Sequence, residues 1–420
     1  MDYISKINLF NLSRTAKQTI ALYFAQIGAM IFGVLFTILN TRFLSKVEFG
    51  TLNFYIQVLT FIALIFEFGY FAAGSRLVAL EKDYKKEREI IGTLYIIGLA
   101  ISLLYILILI IFSFFVDSLF SSNIKQLILH GLLPSLAFPF QFLIQLIFQG
   151  SNEVLKLSFY TLLPRVLYFI FIAFAFLINL FSLKTSAFLY TFSFLIATIV
   201  VIFISKPEFK NLSKNFASIA QETKVYGFRV YIGRVVGMMG YQSNILLIQY
   251  FVKEIEVAHY SLINFFTQPI SMFSRSLCTS LFKGFTNQNE IPNRVFVINS
   301  IWLLGISIIY FLLGDFVLEF FFSKKYSEAV SLIFPLVFAN IFMGLTQPYN
   351  FFLSAKGKGN YLRNSAFILS ITTIGFNLLL IPQLAAMGAA IATTLSMLIN
   401  LITHMYYYRS TLRGNSYGRN

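Results

Sequence analysis

Apolar segments long enough to cross a bilayer recur along the chain and dominate what it can fold into. A spanning helix needs about 20 predominantly apolar residues. Twelve stretches meet that length, at residues 18–39, 50–72, 91–115, 126–149, 158–180, 186–205, 228–250, 259–281, 295–314, 329–352, 364–382 and 387–408. A transmembrane β-strand would alternate every second residue over about ten residues, and Ile101–Phe115 shows no such alternation. Composition agrees: 12% of the residues are charged, about half the density of a soluble domain. With 51 Phe and 23 Tyr in 420 residues, too few charges remain to cover a globular surface. The expected fold class is an all-α integral membrane protein of about twelve helices.

The net charge of +15 would point to nucleic acid in a soluble chain. In a membrane protein it records topology first, because Lys and Arg gather on the cytoplasmic side. With the N-terminus placed in the cytoplasm, 22 of the 32 basic residues fall in cytoplasmic segments and seven on the other side. Arg165, Arg234 and Arg275 remain inside spans. Both termini are therefore expected in the cytoplasm, with no nucleic-acid partner. Met1–Lys17 is polar, carries Lys6, Arg14 and Lys17, and has no A-x-A site after it. The first apolar run is thus expected to stay as a membrane helix rather than be cleaved.

Several chemistries are excluded by what is missing. The single Cys278 supports no disulfide or cysteine cluster. His130, His259 and His404 are far apart and form no zinc-binding motif, and no nucleotide-binding or nucleophile-elbow motif occurs. Neither a metal nor a cofactor is expected, and the short external loops leave no room for a soluble catalytic domain.

The longest cytoplasmic connection, Lys206–Arg229, divides the chain into two sets of six spans. The expected organisation is a lobe over residues 1–205, a linker over 206–227 and a second lobe over 228–420. Self-similarity supports the division. Asn53-Phe54-Tyr55-Ile56-Gln57 in span two resembles Asn264-Phe265-Phe266-Thr267-Gln268 in span eight, and Leu133-Pro134 in span four has a counterpart in Phe334-Pro335 of span ten. Six spans per half start both halves on the same side, so the repeats are parallel and would enclose a central cavity.

Ionisable groups within spans are costly and mark function by default. Glu67, Arg165, Arg234 and Arg275 each lie five to seven residues from the cytoplasmic end of their span, roughly 7–11 Å deep at 1.5 Å per residue. Facing inward, they would form a cationic vestibule. Facing outward, each Arg could snorkel to the headgroups. Glu67 is a candidate either for pairing with one of these Arg residues or for ion coupling. Gln141, Gln145 and Gln149 recur every fourth residue and line one face of span four, while span seven carries Gln242 and Asn244. Amides both donate and accept, which suits sugar hydroxyls. The alternative is helix–helix hydrogen bonding.

Four further segments carry a resemblance. They are Arg42-Phe43-Leu44-Ser45-Lys46-Val47-Glu48-Phe49-Gly50, Phe66-Glu67-Phe68-Gly69, Glu256-Val257-Ala258-His259-Tyr260-Ser261-Leu262, and Pro382 followed by Met387-Gly388-Ala389-Ala390-Ile391-Ala392. In their order and placement on twelve spans the chain resembles the polysaccharide-unit, or O-antigen, flippases of the multidrug/oligosaccharidyl-lipid/polysaccharide exporter superfamily. The resemblance implies a transporter rather than an enzyme. Its substrate would be an oligosaccharide on undecaprenyl diphosphate, moved from the cytoplasmic to the periplasmic leaflet of the bacterial inner membrane in exchange for an ion. It also implies a polysaccharide polymerase and a chain-length regulator as partners. Arg165, Arg234 and Arg275 would then grip the diphosphate, since Arg stays charged and binds phosphate bidentately. A multidrug cation exporter should present carboxylates instead, and a membrane polymerase or glycosyltransferase an external loop or an acidic cluster.

Overall fold

The structure is a computed structural model that describes residues 14–322 and 324–417. Residues 1–13, including Lys6 and most of the polar leader discussed above, lie outside it. Every regular element among the described residues is helical. Among the described residues, eight helices are long and apolar enough to cross a membrane on their own. The other spans are broken or polar, and each departure from a plain apolar rod has a local cause.

The first six spans run as follows. α1 covers Arg14–Phe43, and the second span is split into α2 (Lys46–Ile65) and α3 (Tyr70–Leu80). α4 (Tyr84–Ser113) is followed by a short α5 (Val116–Phe120). The fourth span comprises α6 (Lys125–His130), a tight turn over Pro134–Leu136 and α7 (Ala137–Gly150). Proline lacks the N–H that would continue the helix there. α8 (Val154–Leu177) and α9 (Leu183–Ser205) complete the first lobe. Side chains set three of the starts. Ser45 and Glu48 form a reciprocal capping box on α2, Asp83 accepts from the Lys85 N–H, and Ser182 accepts from the Thr185 N–H. Such caps satisfy N–H groups that have no partner inside the helix.

The linker is itself ordered. α10 (Leu212–Glu222) runs through one π-helical turn, Thr223–Gly227, into α11 (Phe228–Phe251). The second lobe continues with α12 (Glu254–Thr267) and α13 (Pro269–Asn287), which meet at Gln268-Pro269. α14 (Asn293–Phe322) leads through a tight turn, Lys324–Leu332, to α15 (Ile333–Ala355). α16 (Gly359–Tyr417) is two antiparallel arms joined at Ala385, whose φ is +54°. Counting both arms, the chain makes twelve spans in two lobes of six.

A buried polar knot holds each lobe together. In the first, Asn40 of α1 donates to the Tyr168 hydroxyl at 3.0 Å. Ser186 lies 2.7 Å from Tyr168 and donates to Asn40 Oδ1 at 2.9 Å. In the second, Asn244 of α11 donates to Tyr260 at 2.6 Å and to Thr393 at 3.1 Å, and accepts from Asn377 at 2.5 Å. The first knot joins spans one, five and six. The second joins spans seven, eight, eleven and twelve. Polar groups in such an interior must be satisfied within the protein, so these knots fix which helices neighbour one another in each lobe.

Candidate functional site: the cleft between the lobes

The split in span two creates the first feature of the cleft. Phe68 and Gly69 both have positive φ, +48° and +82°, which stops α2 and restarts the chain as α3. Glu67 sits in this break, fully buried, and pairs with Arg234 of α11 in the other lobe. Beside it the Tyr231 hydroxyl donates to the Ile65 carbonyl. A side chain at Gly69 would collide with the backbone of Gly227, and one at Gly227 with the backbone of Gly69. Arg76 pairs with Glu222 and lies 4.8 Å over the Tyr226 ring. The two lobes are thus in direct contact at the end of the bundle that carries the linker.

The three span arginines have different surroundings. Arg234 is neutralised by Glu67. Arg165 is exposed, and its guanidinium and the ring of Phe265 from the other lobe both approach Gly33 of α1. Arg165 therefore stands at the junction of α1, α8 and α12, between the lobes. Arg275 is exposed on α13 together with Gln268 and Thr279. The other face of that helix buries Ser271, Ser274 and Cys278. Among the described residues neither Arg165 nor Arg275 has a carboxylate partner.

The amides divide in the same way. Gln145 and Gln149 are exposed and Gln141 is half-buried. At 100° per residue they share a face with Phe142, which packs against Tyr231 and Val235 of α11 together with Leu64. The stripe therefore borders the inter-lobe space. Gln242 accepts a 2.5 Å hydrogen bond from Gln57 of α2 and ties the lobes together. Asn244 follows the alternative of helix–helix hydrogen bonding. It is buried with three partners inside its own lobe, so it belongs to the packing rather than to a wet surface.

A second cluster, at the opposite end, escaped sequence reasoning. Lys46 of α2 pairs with Glu328 at 2.7 Å. Arg42 donates to the carbonyls of Phe320 and Phe321, and Lys325 donates to the Leu44 carbonyl at 2.5 Å. Gly50 lies against the backbone of Glu254, with no space for a side chain. Behind this seam, Glu256 accepts from the Ala386 N–H at 3.1 Å. His259 lies 3.6 Å from Glu256 and 3.7 Å from Glu328. Three of the four segments that carried the family resemblance meet here, and the fourth forms the break at Glu67. The signal was present in the sequence as those segments, but their mutual contact was not.

Solved structures share this arrangement. A lipid II flippase, MurJ, in an inward closed conformation superposes with a TM-score of 0.73 over 94% of this chain and 87% of that one, at 16% identity. An inward-facing multidrug resistance MATE family transporter of the MOP superfamily gives 0.70 over 93% and 96%, at 15% identity. A MOP superfamily transporter from Pyrococcus furiosus, described as having a binding pocket of reversed polarity, gives 0.60 over 95% of each chain, at 12% identity. The fold is therefore that of these multi-pass membrane transporters. The family described as polysaccharide biosynthesis protein matches residues 15–282, and the chain belongs to that family. The capsular polysaccharide biosynthesis protein CapF of Staphylococcus aureus is 34% identical over 103 residues, 23% of this chain. That alignment spans about a quarter (24%) of CapF.

Proposed function

We propose that this protein is a flippase for lipid-linked saccharide. It moves an oligosaccharide on undecaprenyl diphosphate from the cytoplasmic to the periplasmic leaflet of the bacterial inner membrane by alternating access. The linker end is cytoplasmic, as are both termini. The observation that carries this reading is the charge of the inter-lobe space. Its span carboxylate, Glu67, is paired with Arg234, while Arg165 at the junction of the lobes and exposed Arg275 on α13 have no carboxylate partner among the described residues. Uncompensated guanidinium groups in such a setting are costly, and a diphosphate supplies the missing charge with bidentate geometry. Gln141, Gln145 and Gln149 border the same space and are assigned to sugar hydroxyls. The prenyl tail needs no protein path, because it stays in lipid. Membership of a polysaccharide biosynthesis family and likeness to a lipid II flippase and to multidrug transporters support the class. Cation export is disfavoured, because no free carboxylate faces the cleft among the described residues.

Opening the linker end requires parting Glu67 from Arg234. A phosphate arriving at Arg234 offers that cation a replacement partner, so loading and opening are linked. The test is transfer of a lipid-linked saccharide in proteoliposomes. Replacing Arg165, Arg234 and Arg275 by Gln should reduce transfer by at least 100-fold, since hydrogen bonds to charged groups are worth about 1.5–3 kcal/mol each. The protein should remain inserted and monodisperse. Transfer at the wild-type rate would refute the anion site. In the same assay Glu67→Gln reports on coupling: unchanged dependence on the proton gradient leaves Glu67 as a pairing group alone.

A further inference from the structure

The seam opposite the linker contains a histidine whose surroundings are unusual. His259 is buried, 4% exposed, and its Nε2 has no hydrogen-bond partner. It stands between two carboxylates. Glu256, on its own helix α12, lies 3.6 Å from Nδ1. Glu328, from the turn before α15, lies 3.7 Å from Nε2. Glu328 is simultaneously held by Lys46 of the other lobe at 2.7 Å. Of the other charged groups around the seam, Arg42 is spent on the Phe320 and Phe321 carbonyls. Glu256 also receives the Ala386 N–H from the turn of α16, Lys325 is spent on the Leu44 carbonyl, and Glu48 is tied to the Ser45 N–H in the cap of α2. Glu254 accepts from Gln249. Tyr326 presents its ring to His259 with centroids 6.4 Å apart.

Protonation changes which of these contacts can be made. A neutral imidazole has one N–H and can donate to only one of the two carboxylates, whereas an imidazolium donates to both and carries a charge. Glu328 then has two cations competing for it, Lys46 across the seam and His259 behind it. We propose that His259 is a proton-binding site, and that a proton taken up from the outer face draws Glu328 away from Lys46 and releases the seam between the lobes.

The sign follows from comparing the closed and parted seam. In the closed seam Lys46 stands beside Glu328 and water is excluded from His259. Glu256 and Glu328 flank the imidazole in both states, so Lys46 and water are what change between them. Parting the lobes removes the cation and admits water, so His259 binds its proton more tightly when the seam is open. Closure is therefore strongest at high pH and weakens on acidification. The same linkage makes proton uptake favour the outward-open state, which is the coupling an exporter of anionic lipid could use. That last step rests on the flippase reading and on the linker end being cytoplasmic.

The test needs neither substrate nor transport, so it stands apart from the flippase reading. Spin labels at Lys184→Cys and Lys324→Cys, in a Cys278→Ala background, report the distance across this end in nanodiscs. On acidification from about pH 8 to 5.5 the ratio of open to closed should rise roughly tenfold. His259→Gln should hold the seam closed and flatten the pH profile. Lys46→Met should flatten the pH profile as well, because the contact for which His259 competes is gone, while Arg42, Lys325 and the Gly50 packing still span the seam. A wild-type seam that does not respond, that closes on acidification, or that responds unchanged in His259→Gln overturns the proposal. Should His259→Gln fail to fold, a pH response retained in Lys46→Met overturns it on its own.

Discussion

At the scale of single residues, charge in this protein is assigned by contacts more than by position along the chain. By position Arg88 belongs to a basic segment between spans two and three, yet it is 2% exposed. It donates to Glu153 and Glu87, each at 2.9 Å, and to the Ser205 carbonyl at 2.8 Å. Lys156 completes the group with a 2.6 Å bond to Glu153. Removing one partner of a buried pair leaves an uncompensated charge, which costs several kcal/mol. Arg88→Met should therefore destabilise the first lobe by about 3 kcal/mol, measured as a shift in denaturant midpoint in detergent. Glu153 adds a pH dependence. Burial alone would raise its carboxyl, but Arg88 and Lys156 together hold it below the ordinary carboxylate value. A depressed carboxyl contributes stability above its unfolded value near pH 4, and that contribution is lost as pH falls through the folded value. Acid unfolding should accordingly begin in this cluster, and Glu153→Gln should reduce the acid sensitivity while lowering stability at pH 7. The Arg88 pairings were not visible in sequence, because Glu153 is 65 residues away and nothing local links the two.

At the scale of elements, the informative spans are those that are not plain apolar helices. Phe66-Glu67-Phe68-Gly69 reads in sequence as the interior of span two, since its flanks are apolar and Glu67 is isolated. The structure breaks the helix there with two consecutive left-handed residues. Non-glycine residues adopt that conformation at a cost, so the break persists because the lobe contact holds it. Gly69 is required twice over, once for its positive φ and once because Gly227 leaves no space for a Cβ. Gly69→Ala should strain the break and push the lobes apart at the linker end. The expected readout is an increased distance between labels at Lys82 and Lys224, with Glu67 still present. An unchanged distance and melting temperature would show that the backbone contact is not what closes this end. The linker was expected only as a connection. The one buried apolar side chain of α10, Ile219, packs into the core cluster that includes Phe71 and Ile91, and the helix enters α11 through a π-turn without a break. A rotation of α11 during transport would therefore be felt directly by α10.

At the scale of the whole molecule, the two lobes touch at both ends. The linker end is closed by Glu67 with Arg234 and by Gly69 with Gly227. The other end is closed by Lys46 with Glu328 and by Gly50 with Glu254. α2 and the break that follows it supply the first partner in every one of these contacts, and α11, α12, the π-turn before α11 and the turn before α15 supply the other. A single broken span thus contributes to the contacts at both ends, and on the proposed function it would be the hinge side of both gates. Alternating access then needs only one set of contacts to part while the other holds, which is rocking of one six-span unit against the other. The orientation is open to a direct check. A reporter fused at Asn211, at the exposed start of α10, should read cytoplasmic. A periplasmic signal would invert the membrane sidedness and move the proton site to the inside.

The twelve apolar stretches and the class of protein follow from the sequence alone. They depend on transfer of side chains between water and lipid, which each segment decides locally. Sequence also placed Glu67 and the three span arginines within about one helical turn of a common depth, because depth along a helix is simple counting. Which of them pair is a tertiary matter. Glu67 meets Arg234 across 167 positions of chain, leaving Arg165 and Arg275 as the free cations, and Asn244 turns inward while the Gln stripe of α7 does not. Those outcomes depend on which faces of α2, α8, α11 and α13 meet. Nearly all-round apolar helices carry too little amphipathic contrast for their sequence to specify that, and packing against neighbours decides it.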